Sequence, residues 1–242
     1  MKEAICHICL KNRPMTKNHV PALGGFNSGP IIYTKGKNIV RSMEYPNEPV
    51  RTSMNHNGMY YLNGCGECNN GVGSIYASEY IRWANAVDNS FNQNVIFDVK
   101  DLKPLLFIKQ LIFDFLIINN ISFSQEHILL AKFLLDKNMC IKLAPKYNIY
   151  IGVNIYGDGR VVGGPSFIEE TADNWLSSDR IYLSEIVHYP FAYQLVLDKK
   201  INAPHRSHLV DITHFSEDIE IVLPDLPLVK CVGALPNSFE PA

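Results

Sequence analysis

The sequence predicts an α+β protein in two parts, a cysteine-containing module over residues 1–90 and an α+β domain over residues 91–242. Three observations predict this organisation. Residues 1–73 are rich in Gly, Asn, Pro and Cys and contain only short apolar runs, residues 102–135 have helical periodicity, and strand-like runs follow residue 147. Helices that are followed by a series of strands favour a second domain with an antiparallel sheet.

Composition places the chain among ordinary globular proteins. It has 242 residues, of which 47% are hydrophobic and 19% charged, and its formal net charge is -2. This charge excludes a protein that coats nucleic acid by bulk attraction. Residues 1–80 hold eight Lys and Arg against five acids, whereas the remainder holds 14 against 19. We therefore expect any contact with phosphates to be made by the first part.

Two features of the sequence bear on its location. The opening residues, MKEAICHICLKN, lack the apolar stretch and cleavage site of a secretory signal. The longest apolar run, residues 104–118, is interrupted by Lys109, Gln110 and Asp114 and is shorter than the roughly 20 residues of a membrane span. We expect no membrane association and a cytoplasmic protein.

Short strands separated by turns are predicted in the first part, at residues 31–33, 39–40 and 59–62. A helix over 75–87, capped by Ser74, follows them, and residues 88–94 are the expected linker.

The second part begins with two predicted helices. The first covers 102–119 with Pro104 in its first turn, and the second runs from Ser124 to about residue 135. A hairpin over 147–164, turning at Asp158-Gly159, is predicted next. Further strands are expected at 181–187, 192–197 and 219–223.

Four of the six cysteines form two Cys-x-x-Cys pairs, which are Cys6 with Cys9 and Cys65 with Cys68. Four thiolates at this spacing are the ligand set of a closed, tetrahedral structural zinc site. Zinc binding would also supply folding energy to a segment that is poor in apolar residues. We expect His7, between two of the ligands, to point outward, and the lone Cys140 and Cys231 to be small core residues.

The 55 residues between the two pairs, 10–64, are too many for a plain zinc ribbon. Soon after the first pair comes Asn18-His19-Val20-Pro21, and Asn69 directly follows the second pair. A histidine on a strand and an amide where a helix is about to start could converge on a second site beside the zinc.

This order, Cys-x-x-Cys, Asn-His-Val-Pro, then Cys-x-x-Cys-Asn, resembles the zinc-finger branch of the HNH endonucleases over residues 1–88. The resemblance implies a ββα-metal core on a treble-clef zinc scaffold. It implies that His19 is the general base that takes a proton from the attacking water. It also implies that Asn18 and Asn69 hold a catalytic Mg²⁺ or Mn²⁺ ion, which would bind the scissile phosphate.

The resemblance does not assign two further roles to single residues, namely orienting the catalytic histidine and binding phosphates. Asn57 is the choice for the asparagine that orients the catalytic histidine, Asn63 is the alternative, and His56 could instead be a ligand. Five basic residues of the first part are candidates for binding phosphates: Lys17, Lys35, Lys37, Arg41 and Arg51. For the last four, which lie in the insert, a solvated face is an equally good explanation.

The expected function is therefore metal-dependent cleavage of nucleic-acid phosphodiester bonds, with DNA as the favoured substrate and defence or mobile-element biology as the setting. The alternative is a non-catalytic, zinc-stabilised adaptor that binds nucleic acid or protein. Two departures from the family pattern stand out. Asn18 is neutral where a charged or imidazole ligand is usual, and the Gly71-x-Gly73 pair disfavours a helix directly after Cys68. The apolar second half leaves open a homodimer or a partner protein docked there.

Overall fold

The computed structural model describes residues 3–35, 37–38, 41, 44–45, 47–92, 101–121, 127–143, 146–155, 159–168, 181–197, 209–217, 226, 228–231 and 239–241. It is a mixed α+β structure, as predicted. The helices of the described part are α1 (Gly66–Asn70), α2 (Val72–Asn92), α3 (Pro104–Ile118) and α4 (His127–Leu135), with a 3₁₀ turn at Thr213–Ser216. The strands of the first part are β1 (Glu3–Ile5), β2 (Asn12–His19), β3 (Ile31–Tyr33), β4 (Ser53–Asn55) and β5 (Tyr60–Cys65). The second part contains β6 (Tyr147–Asn154), β7 (Arg160–Ile168), β8 (Ile181–His188), β9 (Phe191–Leu197), β10 (Val210–Asp211), β11 (Leu228–Cys231) and β12 (Phe239–Pro241).

The first part is built on a three-stranded antiparallel sheet in the order β1-β2-β5. Strand β2 pairs with β5 so that Met15 lies opposite Cys65 and His19 opposite Tyr60, with an irregularity between Thr16 and Asn18. Helix α1 starts immediately after β5, at Gly66. Strand β2, strand β5 and the helices after them therefore form a ββα unit.

The helix after the second cysteine pair is longer than predicted. Instead of starting near residue 75, helical structure begins at Gly66 and is divided at Gly71 into α1 and α2. At Gly73 the backbone of α2 lies close to its neighbours, because a Cβ there would be 3.0 Å from the Cys68 carbonyl oxygen and 3.2 Å from the Phe113 ring. Glycine, which has no Cβ, allows this close approach. Ser74, the predicted cap, lies inside α2 and donates a hydrogen bond of 2.9 Å to the Asn70 carbonyl.

The insert between the cysteine pairs contains a two-stranded antiparallel ribbon of β3 and β4. It confirms the predicted strand at 31–33, whereas the strand predicted at 39–40 lies outside the described residues. Gly58, between β4 and β5, has a φ of +68°, and a Cβ there would lie 1.8 Å from the Asn27 carbonyl oxygen. This position therefore requires glycine.

Both helices predicted in the second part are present. Helix α3 starts at Pro104, in keeping with the tolerance of proline in a first turn, and the described part of the second helix starts at His127. Ser124 lies outside the described residues. Helices α2 and α3 pack together through Trp83 and Phe107, whose rings are stacked with centroids 4.2 Å apart.

The predicted hairpin over 147–164 is wrong in its pairing. Strands occur at both positions, but β6 pairs with β9 and β7 pairs with β8 in a sheet of order β12-β11-β6-β9-β8-β7, with β10 also on β6. A short loop allows two strands to pair locally but does not oblige them to, and here β6 forms seven residue pairs with β9. The strands predicted at 181–187 and 192–197 are present, and 219–223 lies outside the described residues.

The apolar core is continuous between the two parts. Buried side chains from the cysteine pairs, α2, α3 and the large sheet all belong to one cluster, from Cys6 to Phe215. The division at residue 90 stays a prediction, and this position lies near the end of α2. Among the described helices, none is both long and apolar enough to cross a membrane.

One carboxylate lies inside this core. Asp114 on α3 is fully buried and accepts hydrogen bonds of 2.7 Å from both the Gln110 amide and the Tyr193 hydroxyl. Burial raises the pKa of Asp114 to about 8.

Candidate functional site

The four paired cysteines converge at one place. The sulfur atoms of Cys6, Cys9, Cys65 and Cys68 all lie within 4.8 Å of one another, and Cys9 Sγ is 3.9 Å from Cys65 Sγ. Sulfur atoms about 2.3 Å from a tetrahedral zinc ion would be roughly 3.8 Å apart. The cluster therefore has both the donor chemistry and the dimensions of a structural zinc site.

The local backbone explains how the cysteines meet. The first pair lies in the turn between β1 and β2, which closes with Leu10 at a φ of 60°. In the second pair, Cys65 ends β5 and Cys68 lies in α1. The backbone amides of Ile8 and Cys65 lie 3.4 and 3.3 Å from Cys6 Sγ and donate to it.

The ionisation of the clustered thiols is linked, because each lies within reach of its neighbours. The pKa of Cys6 falls to about 4 because the Cys68 thiol and then backbone amides hydrogen-bond its thiolate. The pKa of Cys68 is raised because its thiol is held by Cys6, and burial raises the pKa of Cys9. One thiolate is thus stable without metal, whereas four adjacent thiolates need a compensating positive charge.

The first cysteine pair is also joined to the second part of the chain. His7 does not point outward to solvent: its Nδ1 donates a hydrogen bond of 2.9 Å to the carbonyl of Leu116, in the last turn of α3. Asn63 Nδ2 donates to the next carbonyl, Ile117, at 2.7 Å, and His127 Nε2 donates to the His7 carbonyl at 2.6 Å. The bonds to Leu116 and Ile117 satisfy carbonyls that the end of a helix leaves without partners. The other two cysteines differ from the cluster: Cys140 is exposed, contrary to prediction, and the Cys231 side chain lies outside the described part.

His19, the candidate base, is the last residue of β2 and is partly buried. Its ring lies against Tyr60, with centroids 5.8 Å apart, and its Nδ1 is buried without a hydrogen-bond partner in the described part of the chain. Burial, and secondarily the positive charge of Lys17, lower the pKa of His19 below its usual 6.5. The imidazole is therefore neutral near pH 7, the form that can accept a proton.

Lys17 shares Tyr60 with this histidine, and Asn69 is bonded to the backbone of Lys17. The Lys17 ammonium sits over the Tyr60 ring, 4.6 Å from its centroid. The half-buried Asn69 donates a hydrogen bond of 3.1 Å from Nδ2 to the Lys17 carbonyl, which joins α1 to β2. The fold thus gathers Lys17, His19, Tyr60 and Asn69 at the end of the ββα unit.

Asn18 is placed differently. It is 0% exposed, and its Oδ1 accepts a hydrogen bond of 2.7 Å from the Gly64 amide. Side chains alternate along a strand, so Asn18 lies on the face of β2 opposite Lys17 and His19. A Cβ on Gly64 would lie 2.7 Å from the Asn18 oxygen, so the glycine makes room for this inward position.

The two asparagines are engaged in different ways, and their binding of a shared Mg²⁺ or Mn²⁺ ion stays a prediction. Asn69 is half-buried and its Nδ2 is bonded to the Lys17 carbonyl, whereas the Oδ1 of Asn18 is buried and bonded to the Gly64 amide. Within the described ranges, the cysteine cluster is the one group of three or more His, Cys, Asp or Glu side chains close enough to share an ion. Such an ion would find no set of anionic ligands beside His19.

Neither candidate for orienting His19 does so in this structure. Asn57 and His56 are exposed in the turn before β5, and the Asn57 backbone amide donates to Asn55 Oδ1 at 3.2 Å. Asn63, the alternative, is bonded to Ile117. The residue that contacts the imidazole is Tyr60, which sequence reasoning missed because its position opposite His19 depends on the register of β2 with β5.

Four of the five candidate phosphate-binding cations lie away from His19 in sequence, on the insert that carries the ribbon. Lys35, Lys37, Arg41 and Arg51 are all exposed. Arg41 is paired with Glu48 through two hydrogen bonds, of 2.9 and 3.3 Å.

Comparison with known proteins adds no relative. No family model matches the chain, and no curated protein and no solved structure matches it. The resemblance to the HNH endonucleases therefore depends on the order of the motifs alone.

Proposed function

We propose that the chain is an HNH-type endonuclease that hydrolyses phosphodiester bonds of nucleic acid, with DNA as the first substrate to test. The observation that carries this proposal is the position of His19, whose neutral imidazole shares the Tyr60 ring with Lys17 at the end of a ββα unit. A role in defence against foreign DNA or in mobile-element biology fits such an activity.

The proposed chemistry begins with His19. With Nδ1 buried, Nε2 is the ring nitrogen proposed to take a proton from a water molecule, which then attacks the phosphorus. The bond from phosphorus to the leaving 3′-oxygen breaks, and this oxygen takes a proton from solvent water. The Lys17 ammonium is the nearby positive charge that could bind a phosphate oxygen. Tyr60 holds both side chains, since its ring contacts the imidazole and lies under the ammonium.

We also propose that the four cysteines bind one structural zinc ion. The close packing of four sulfur atoms and the stable Cys6 thiolate support this assignment. The ion would hold the turn after β1 against the start of α1 and so keep β2, with His19, in register with β5.

A second function is favoured by a specific observation. Asn18 is 0% exposed and its Oδ1 is bonded to the Gly64 amide, so it is less accessible to a catalytic ion than the resemblance implies. This arrangement would suit a zinc-stabilised module that binds nucleic acid or protein without cutting it.

A nicking assay on supercoiled plasmid separates the two functions. The full-length protein would be incubated with Mg²⁺, with Mn²⁺, with neither ion and with EDTA, and in parallel with structured RNA. Conversion of plasmid to the open-circular form supports the nuclease. Intact DNA and RNA under every condition, from protein with its zinc bound, would establish the non-catalytic module instead.

A further inference from the structure

The β3–β4 ribbon, defined by Ile31–Tyr33 and Ser53–Asn55, presents apolar side chains to solvent. Ile32 and Met54 are directly paired across the two strands and are 69% and 56% exposed. Tyr33, next to Ile32, is 40% exposed. Tyr33 lies on the opposite face of the strand, so the exposed apolar group is the cross-strand pair of Ile32 and Met54. A pair of this kind, unlike a single scattered side chain, is a candidate interaction surface.

Basic residues follow directly beyond this apolar pair. Lys35 lies two residues after β3, Arg51 lies two residues before β4, and both are exposed. Asn38 ties the two chain segments together, since its backbone amide donates to the Lys35 carbonyl at 2.8 Å and its side chain to the Arg51 carbonyl at 3.0 Å. With Lys37, this end of the ribbon carries three exposed cations outside the hydrogen-bonded Arg41–Glu48 pair, of which Arg51 also lies close enough to act on Glu48.

We propose that the β3–β4 ribbon is the duplex-binding element of this protein, with Ile32 and Met54 against base edges in a groove and Lys35, Lys37 and Arg51 on the flanking phosphates. A two-stranded ribbon fits the major groove, which is about 12 Å wide. The inference deepens the proposed function, because it names the surface that would present a duplex to His19.

Charge favours this occupant over a second copy of the chain. The segment from 34 to 52 contains four basic and two acidic residues, although the whole chain has a net charge of -2. Two such ribbons placed together would bring like charges into contact, whereas phosphates complement them.

The test is binding of a fluorescent 20-base-pair DNA duplex, followed by anisotropy over a range of salt concentrations, with all variants made in full-length His19→Ala protein. Replacing Lys35 and Arg51 together with Glu should weaken binding at least tenfold and reduce the salt dependence by about one phosphate contact per cation. Replacing Ile32 and Met54 together with Ser should weaken binding several-fold and leave the salt dependence unchanged, because no charge is lost.

Matched controls lie on α4. Lys132→Glu changes an exposed charge and Ile128→Ser changes a 58%-exposed apolar residue, and both should bind as the parent does. Because the ribbon side chains are exposed, the variants should keep the parent's circular dichroism and zinc content.

Three results would overturn the proposal: no binding of the duplex by the parent, ribbon variants that bind like the controls, or ribbon variants that alter only self-association in sedimentation. The last would identify the ribbon as a contact between copies. If the protein with His19 present never cuts but duplex binding depends on the ribbon, the nuclease proposal fails and the ribbon proposal stands. The two failures are therefore distinguishable.

Discussion

His19 lies across from Tyr60 on the neighbouring strand, with ring centroids 5.8 Å apart and planes inclined at 55°. The same tyrosine ring lies under the Lys17 ammonium. The register of β2 with β5 places the Tyr60 ring against the imidazole. Tyr60 therefore occupies the orienting position that the resemblance assigns to an asparagine. The site of the proposed chemistry is therefore part of the β2–β5 pairing.

His19→Ala should remove most cleavage. Positioned proton transfer commonly contributes a factor of about 10²–10⁴, and the loss should be of that order. Zinc content and melting temperature should stay close to wild type, since His19 is not part of the cysteine cluster. Initial rates of plasmid nicking measure the effect, and a His214→Ala variant, at an exposed histidine of the second part, is the control. Wild-type rates from His19→Ala would mean that the base lies elsewhere.

Lys17→Met should raise the pKa of His19. The change removes a positive charge that disfavours the imidazolium, but burial, the larger cause of the lowered pKa, remains, so the rise should be partial. NMR titration of the histidine ring protons measures the pKa directly, with Lys11→Met as control. The acid limb of the pH–rate profile should move to higher pH by the same amount. An unchanged His19 pKa would show that Lys17 does not act on the ring.

Cys65→Ser should abolish zinc binding and destabilise the first part of the chain. Purified wild-type protein should contain about one zinc per chain by elemental analysis, and the variant should contain little. The cost should reach several kcal/mol, because metal binding and folding are coupled in such sites. Since His7 joins the first cysteine pair to α3, hydrogen exchange should also increase at the end of that helix. The exposed Cys140 provides a control in Cys140→Ser, and zinc-free wild-type protein of unchanged stability would refute the assignment.

Asn18→Asp should destabilise the protein rather than strengthen metal binding. It would bury a carboxylate whose one available donor is the Gly64 amide, at a cost of about 1–3 kcal/mol. Urea unfolding with and without Mg²⁺ at about 10 mM, enough for a weak site, measures this cost, and Asn69→Asp is the less buried comparison. Restoration of the Asn18→Asp variant by Mg²⁺ would show instead that this side chain faces an ion.

Asp114→Asn should change how stability depends on pH. In the native protein Asp114 stays protonated up to about pH 8, whereas in the unfolded chain it ionises near 3.9. Its contribution to stability is therefore present at low pH and is lost as the pH rises towards 8. The asparagine variant does not ionise and so lacks this loss. In urea unfolding, its free energy of unfolding relative to that of wild type should therefore be higher at pH 8 than at pH 5. Asp101→Asn, at an exposed carboxylate, is the control, and equal pH dependence in wild type and Asp114→Asn would contradict the burial argument.

The sequence by itself determined the features that depend on local spacing. Cys-x-x-Cys spacing identified the four residues of the cysteine cluster, because two such turns supply four sulfur ligands wherever the chain brings them together. Periodicity identified α3 and the strands β8 and β9, because one-dimensional patterns record which faces are buried.

Contacts between distant residues were decided by the tertiary structure alone. The inward position of Asn18 depends on Gly64, 46 residues away, and the contact of His19 with Tyr60 depends on a strand register that the intervening insert does not encode. Likewise, β6 pairs with β9 rather than with β7, its neighbour in sequence. Such pairings are set by which surfaces bury the most area in the assembled core, a three-dimensional property that the spacing of residues along a strand does not express.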